Sequence, residues 1–248
     1  LIDPLKEVLP ADDVTRFESL HAWWPMDGNG SDRSGNERDG FPQGQATYSD
    51  GRFGKALDLT NGGTFVVSES KGPGILGNQA RTVSFWVKTS TINKPLVQWG
   101  TSTGSGNLWK VRLGFNYGPG GTLDLFLEGQ RKVGGRYPVH DGKWRHLAVT
   151  LSQNLENSQE ISLFVDGYKE TLHYSNVNFS SFSIDTRSSD LIVGADDFFG
   201  MIDDLRIYSD ALNDGEILRI YLEGSQDDLN LVSKDYSLSV WVKPDDLP

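Results

Sequence analysis

The chain has 248 residues, no cysteine, 28 glycines and a formal net charge of −11 at neutral pH. No disulfide framework and no thiolate metal site can exist. A surface of this sign repels phosphate backbones, which argues against nucleic acid as a partner, and no apolar run is long enough to insert into a membrane. Hydrophobic residues at 37%, including 7 Trp, 8 Tyr and 12 Phe, suffice for one large β domain or two small ones. The acidic surface is compatible with solubility alone and with Ca2+ binding, and charge by itself does not separate the two. The chain begins with Leu1, not Met, and shows no signal peptide, so a mature fragment or an excised piece of a longer protein is expected.

Residues 1–19 mix apolar and acidic side chains without a strand period and read as an arm or linker, with Asp12 or Asp13 able to cap a short helix. Leu20 to Met26 is apolar and aromatic, as a first strand should be. The loop that follows, Asp27 to Gly40, places Asp27, Asn29, Asp32, Ser34, Asn36 and Asp39 at short, irregular spacing between glycines. Ca2+ takes six to eight hard oxygen ligands, and such a loop can supply several; the spacing is not that of an EF-hand. The competing reading is a solvated loop built on Asx turns.

Arg52 to Leu59 and Thr64 to Val67 read as short strands parted by Asn61-Gly62-Gly63. Thr82 to Lys88 alternates, with Val83, Phe85 and Val87 one way and Ser84 and Trp86 the other. Further short runs follow at Leu96–Trp99, Leu108–Phe115, Leu123–Glu128, His146–Leu151, Ile161–Val165 and Leu191–Val193, with turn signals such as Gly118-Pro-Gly-Gly121 and Asp166-Gly167 between them. This pattern implies an antiparallel sandwich or jelly roll.

Phe199 to Tyr208 is the stretch on which the chain is organised. It reads as a strand whose alternation puts Asp203 on the side of Leu205 and Ile207, and a core-facing carboxylate is costly unless paired, hydrogen-bonded or holding a metal. One helix is supported: Asn213 with Glu216 makes a capping box, Ile217, Ile220 and Tyr221 form a buried stripe, and Gly224 supplies a stop. Beyond it, Tyr236 to Lys243 echoes Arg81 to Lys88, each ending in Trp-Val-Lys. Residues 225–248 are therefore a linker and an isolated strand, either the start of a second, truncated repeat or a strand that serves the first fold.

Several motifs stand in a common order: Trp24-Pro-Met-Asp-Gly-Asn29, Gly51-Arg-Phe-Gly-Lys-Ala-Leu57, Val83-Ser-Phe-Trp-Val-Lys88, Asp141-Gly-Lys-Trp144, Leu163-Phe-Val-Asp-Gly167 and Ile202-Asp-Asp-Leu-Arg-Ile-Tyr208. Together they resemble the laminin G-like, concanavalin A-like lectin/glucanase jelly-roll family over residues 20–224. The resemblance implies two curved antiparallel sheets packed face to face with one short C-terminal helix. It implies that the first strand lies near the last, and that a calcium ion sits at that junction. Asp27 and Asp203 are its first ligands, with Asn29, Asp32 and Asn36 as further candidates.

Enzymes of this architecture carry paired carboxylates on one strand. No Glu-x-Asp-x-x-Glu cluster occurs here, and Asp124 with Glu128 is the remaining acid–base pair to consider. No His spacing suggests zinc, no nucleophile elbow is present, and Gly104-Ser-Gly106 is not a phosphate loop. Trp99, Trp109, Tyr117 and Tyr137 lie near turns and could stack on sugar rings, or pack in the core. Trp144 and Phe199 match family core positions. The reading is a non-catalytic binding module, secreted or at the cell surface and part of a larger protein, that recognises a glycan or a surface glycoprotein. The alternatives are a protein–protein adhesion or spacer domain and, last, a glycoside hydrolase or lyase.

Overall fold

Among the described residues, alternating apolar side chains and frequent turns give sixteen short strands and one α-helix. The computed structural model describes residues 19–102, 107–114, 120–127, 131–153, 159–175 and 184–226. The N-terminal arm, the Trp-Val-Lys echo at 236–243, Gly104-Ser-Gly106, Tyr117 and Glu128 lie outside them. The strands are β1 (Leu20–Trp24), β2 (Phe41–Gln43), β3 (Thr47–Asp50), β4 (Lys55–Asp58), β5 (Thr64–Val67), β6 (Arg81–Thr89), β7 (Pro95–Gly100), β8 (Leu108–Leu113) and β9 (Thr122–Leu127). They continue as β10 (Arg131–Pro138), β11 (Trp144–Gln153), β12 (Gln159–Val165), β13 (Tyr168–Lys169), β14 (Tyr174–Ser175), β15 (Leu191–Val193) and β16 (Gly200–Tyr208).

These make two eight-stranded antiparallel sheets. One runs β13-β12-β11-β6-β16-β4-β3, with β1 also paired to β16; the other runs β14-β10-β9-β8-β7-β15-β5-β2. The apolar sets of both, among them Trp24, Phe65, Phe85, Trp99, Trp109 and Ile202, meet in a single core. Helix α1 (Asp214–Gln226) covers the outer face of the first sheet, packing Ile217 and Ile220 on Ala148, Phe164 and Tyr208. This explains why β6 is buried on both faces except at Lys88: Trp86 points away from the core and stacks on Tyr221 of α1 at 5.5 Å.

The capping box forms as expected. The Asn213 side chain accepts from the Gly215 and Glu216 N–H groups, and Glu216 accepts from the Asn213 N–H at 2.7 Å. Gly224 does not stop the helix, which runs two residues further to Gln226. A glycine ends a helix where it turns left-handed at the cap, and Gly224 carries no positive φ.

Asp203 faces the other way from its expected side. A β-bulge between Asp203 and Arg206, with Asp204 at φ 48°, inserts one extra residue and breaks the alternation. Ile202, Leu205 and Ile207 all reach the core, while Asp203 shares a rung with Trp86 and His146 on the outer face.

Candidate cation site where the first and last strands meet

The two halves of β16 have different neighbours along one edge. Met201 and Ile202 pair with β4; Leu205, Arg206 and Ile207 pair with β1. Asp203 and Asp204 sit at the handover, beside the residues that follow β1 and those that precede β4. The gap is a cleft of about 190 Å3 lined by Trp23, Asp27, Phe53, Asp203, Asp204, Arg206 and Glu223.

Asp203 has no solvent-exposed surface. Its Oδ2 accepts hydrogen bonds from the Arg52 N–H at 2.8 Å and the Phe53 N–H at 3.0 Å. Gly51 makes this approach possible, because a Cβ there would lie 2.7 Å from both Asp203 Oδ2 and the Ala56 nitrogen. Asp203 Oδ1 has no hydrogen-bond partner among the described residues. Burial pushes the carboxyl up to about 7, and the Asp204 carboxylate adds to the push, which the Phe53 and Arg52 N–H groups only partly offset.

Asp204 is neutralised locally. Its oxygens meet Arg206 at 3.0 and 3.1 Å, and its Oδ1 accepts from the Trp23 indole N–H at 2.6 Å. Burial opposes the charge on Arg206, but the Asp204 carboxylate holds its pKa above the usual guanidinium range. The Arg206 guanidinium also lies 4.9 Å from the Trp23 ring centre and 3.7 Å from Glu223. Asp27 is exposed, and its Oδ1 accepts from the Lys55 N–H at 2.9 Å.

Of the five residues expected at a metal, the cleft thus brings together Asp203 and Asp27. The others are engaged within their own loop and by the adjacent β1. Asp32 Oδ1 accepts from the Trp23 and Ser34 N–H groups, and its Oδ2 from the Arg38 N–H and the Ser34 hydroxyl. Burial works against its charge, yet these four donors hold its pKa below the ordinary carboxylate value. Asn29 Oδ1 accepts from the Ser31 N–H, and the Asn36 amide donates to the Leu20 and His21 carbonyls. The loop is therefore an Asx-turn scaffold fastened to β1. Among the described residues no three His, Asp or Glu side chains converge on one point as a metal cluster. The donor chemistry of the orphaned Asp203 oxygen beside the Asp27 carboxylate suits a hard cation, which would need further oxygen ligands to fill its shell.

The aromatic candidates divide differently. Trp99 and Trp109 are 1% and 0% exposed and form one inner rung with Leu127, so neither offers a ring face to a sugar. The Trp99 indole donates to the Ile75 carbonyl, and the Arg81 guanidinium lies 5.0 Å from the Trp109 ring centre. They are corrected to core residues: strand alternation points them inward, although turns lie close by. Tyr137 is 60% exposed on β10. Asp124 is buried beside Arg112, with its Oδ1 accepting from the Thr122 hydroxyl.

Phe199, assigned to the core from sequence, is 47% exposed, and its neighbour Phe198 fills the core instead. Asp196 and Asp197, both at positive φ, turn the chain just before the two phenylalanines. Trp144 is likewise half-buried, not a core residue.

A family model described as the concanavalin A-like lectin/glucanases superfamily matches residues 60–218, more than half of the chain. The chain belongs to this superfamily. Solved structures agree in fold with the superfamily assignment. Domain 4 of AbnA, an extracellular GH43 arabinanase from Geobacillus stearothermophilus in complex with arabinotriose, is 22% identical with a TM-score of 0.63, covering 82% of this chain and 98% of that one. The binding domain of Paraclostridial Mosquitocidal Protein 1 is 19% identical with a TM-score of 0.62, covering 83% of this chain and 52% of that one. The receptor binding domain of botulinum neurotoxin type G is 14% identical with a TM-score of 0.59, covering 83% and 51%. The chain thus spans about half the length of the two toxin domains. Comparison with curated protein sequences finds no match. No described helix is long and apolar enough to cross a membrane.

Proposed function

We propose that this chain is a non-catalytic, calcium-stabilised binding module of a larger secreted or surface protein, and that it recognises a glycan. The observation that carries the calcium part is the buried Asp203 Oδ1, without a hydrogen-bond partner, beside Asp27 in an acidic cleft. A divalent ion there would neutralise a carboxylate whose burial is otherwise unfavourable. Asp203 and Asp27 would hold it, and the ion would link the residues following β1 to the last strand. Its chemistry in this reading is structural charge neutralisation.

Glycan binding is supported by likeness to an arabinanase domain solved with arabinotriose. The non-catalytic reading is supported by the state of Asp124. Its carboxylate is closed in by glycines, since a Cβ at Gly114 or Gly134 would lie 2.0 or 2.8 Å from its oxygens, and it faces Arg112. A general acid or base needs room for the group it protonates. A second reading, attachment to a protein receptor, is favoured by the likeness to a toxin receptor binding domain.

A glycan array probed with the whole chain, with calcium and with chelator, tests the proposal. Binding to a defined set of glycans that weakens in chelator is expected. Silence on every glycan together with capture by a cell-surface protein would replace this reading by the second.

A further inference from the structure

A second cleft, of about 450 Å3, opens at the start of β16 beside the end of β6, and its size falls within the range of about 300–1,000 Å3 typical of small-molecule sites. Phe199 gives it an aromatic wall. The ring lies against the turn at Gly62, where a Cβ would sit 3.8 Å from Cε1. The backbone behind it is fixed as well, because the Phe199 carbonyl accepts from the Thr89 hydroxyl at 2.6 Å and the Thr91 hydroxyl at 2.9 Å. An exposed phenyl ring on a backbone anchored in this way offers a stacking surface to the apolar face of a ligand.

The polar lining selects the ligand. Thr60 spends its hydroxyl hydrogen on Asp58 at 2.6 Å, and Thr91 spends its own on the Phe199 carbonyl. Both hydroxyls therefore offer a ligand only lone pairs. Lys88, exposed and without an ion pair to any described residue, offers donors only. Register places it on a rung with Trp144, Met201 and Asp58, on the same face of the sheet as Asp203. Ser90, also in the lining, can donate or accept. A partner that matches this lining carries an apolar face, hydroxyl donors for the threonines and oxygen acceptors for Lys88 and Ser90. A carboxylate-rich ligand would leave the threonine lone pairs unmatched and would approach a chain of net charge −11.

We infer that the Phe199 cleft is a binding subsite for a neutral saccharide unit, with Phe199 stacking on the sugar ring and Lys88 and the threonine hydroxyls bonding its oxygens and hydroxyl groups. This rests on the glycan reading above and adds to it a place and a ligand class.

Affinity electrophoresis of the whole chain in gels containing arabinan, xylan or a neutral β-glucan, with polygalacturonate as the anionic arm, tests it. The wild-type chain is expected to be retarded in at least one neutral gel. Phe199→Ala should weaken that retention about tenfold, the loss of one aromatic stacking contact, and Lys88→Gln should weaken it too. Both positions are exposed, and an unchanged near-ultraviolet circular dichroism spectrum establishes that each variant is folded; if Phe199→Ala is not, Lys88→Gln carries the test. Wild-type retention that both variants keep in full would overturn the subsite while leaving glycan binding intact. Retention by polygalacturonate alone would overturn the neutral class. Retention by nothing would overturn the glycan reading and the subsite with it.

Discussion

At the scale of single residues, the outer face of the first sheet carries two buried titratable groups with opposite histories. Asp203 is held by the Arg52 and Phe53 N–H groups, and its second oxygen is left bare. His146 sits two strands over, beyond β6, its Nε2 2.9 Å from the Ser84 hydroxyl and its ring against Trp86 and Tyr221. Burial, and secondarily the Arg206 charge, push the His146 imidazole down to about 3. The unfolded chain takes up this proton near its ordinary pKa of about 6.5, and the fold does not until about 3. His146 therefore costs nothing above pH 6.5, and keeping it neutral costs stability progressively as pH falls from there towards 3. His146→Gln, which keeps a hydrogen-bonding partner for Ser84, should flatten the fall in unfolding free energy between pH 6 and pH 4 by about 1.4 kcal/mol per unit in urea titrations. Equal slopes in variant and wild type would contradict the assignment. The carboxylate of Asp203 was legible in sequence as an anomaly, but its side of the sheet was not. Alternation holds only while a strand stays regular, and the bulge at Asp204 resets it. Phe199 was misplaced because two adjacent phenylalanines precede β16 and no local pattern tells which of them enters the core; Phe198 does.

At the scale of elements, strands with clean periodicity were the readable ones. Leu191–Val193 falls on β15 residue for residue, and Thr82–Lys88 lies within β6. The strand β10, Arg-Lys-Val-Gly-Gly-Arg-Tyr-Pro, escaped notice because two glycines and a proline contradict strand propensity. Its neighbours make it a strand: Val133 and Gly134 pair with β9 on one side and β14 on the other, and the buried Glu170 side chain accepts from the Arg136 N–H where the register shifts. The helix α1 was legible through its cap, and what it covers was not. Its packing on Trp86 and Phe164 closes the outer face of the sheet that a two-layer sandwich leaves wet. Asn213→Ala removes the acceptor for two N–H groups and should cost about 1 kcal/mol by chemical denaturation. Since the helix also buries Ile217 and Ile220, the loss should appear in the single global transition. A separate early transition of the helix alone would show that it is not part of the cooperative unit.

At the scale of the whole molecule, β16 joins distant parts of the chain, pairing with β6, with β4 and with β1. Ordered motifs made the family and its two-sheet architecture readable, and the proximity of first and last strands followed from that. The sheet orders, and the bare carboxylate oxygen at the handover from β4 to β1, are properties of long-range pairing that no local pattern encodes. Our central claim is that a divalent cation bridges this handover. The most direct test is the melting temperature of wild type and Asp203→Asn at pH 8, each in calcium and in chelator. The account predicts that calcium raises the wild-type value, that Asp203→Asn is indifferent to calcium, and that in calcium the variant melts below wild type. In chelator the variant should melt at or above wild type, because it no longer buries an uncompensated charge. Wild-type melting curves that coincide in calcium and in chelator would contradict the claim.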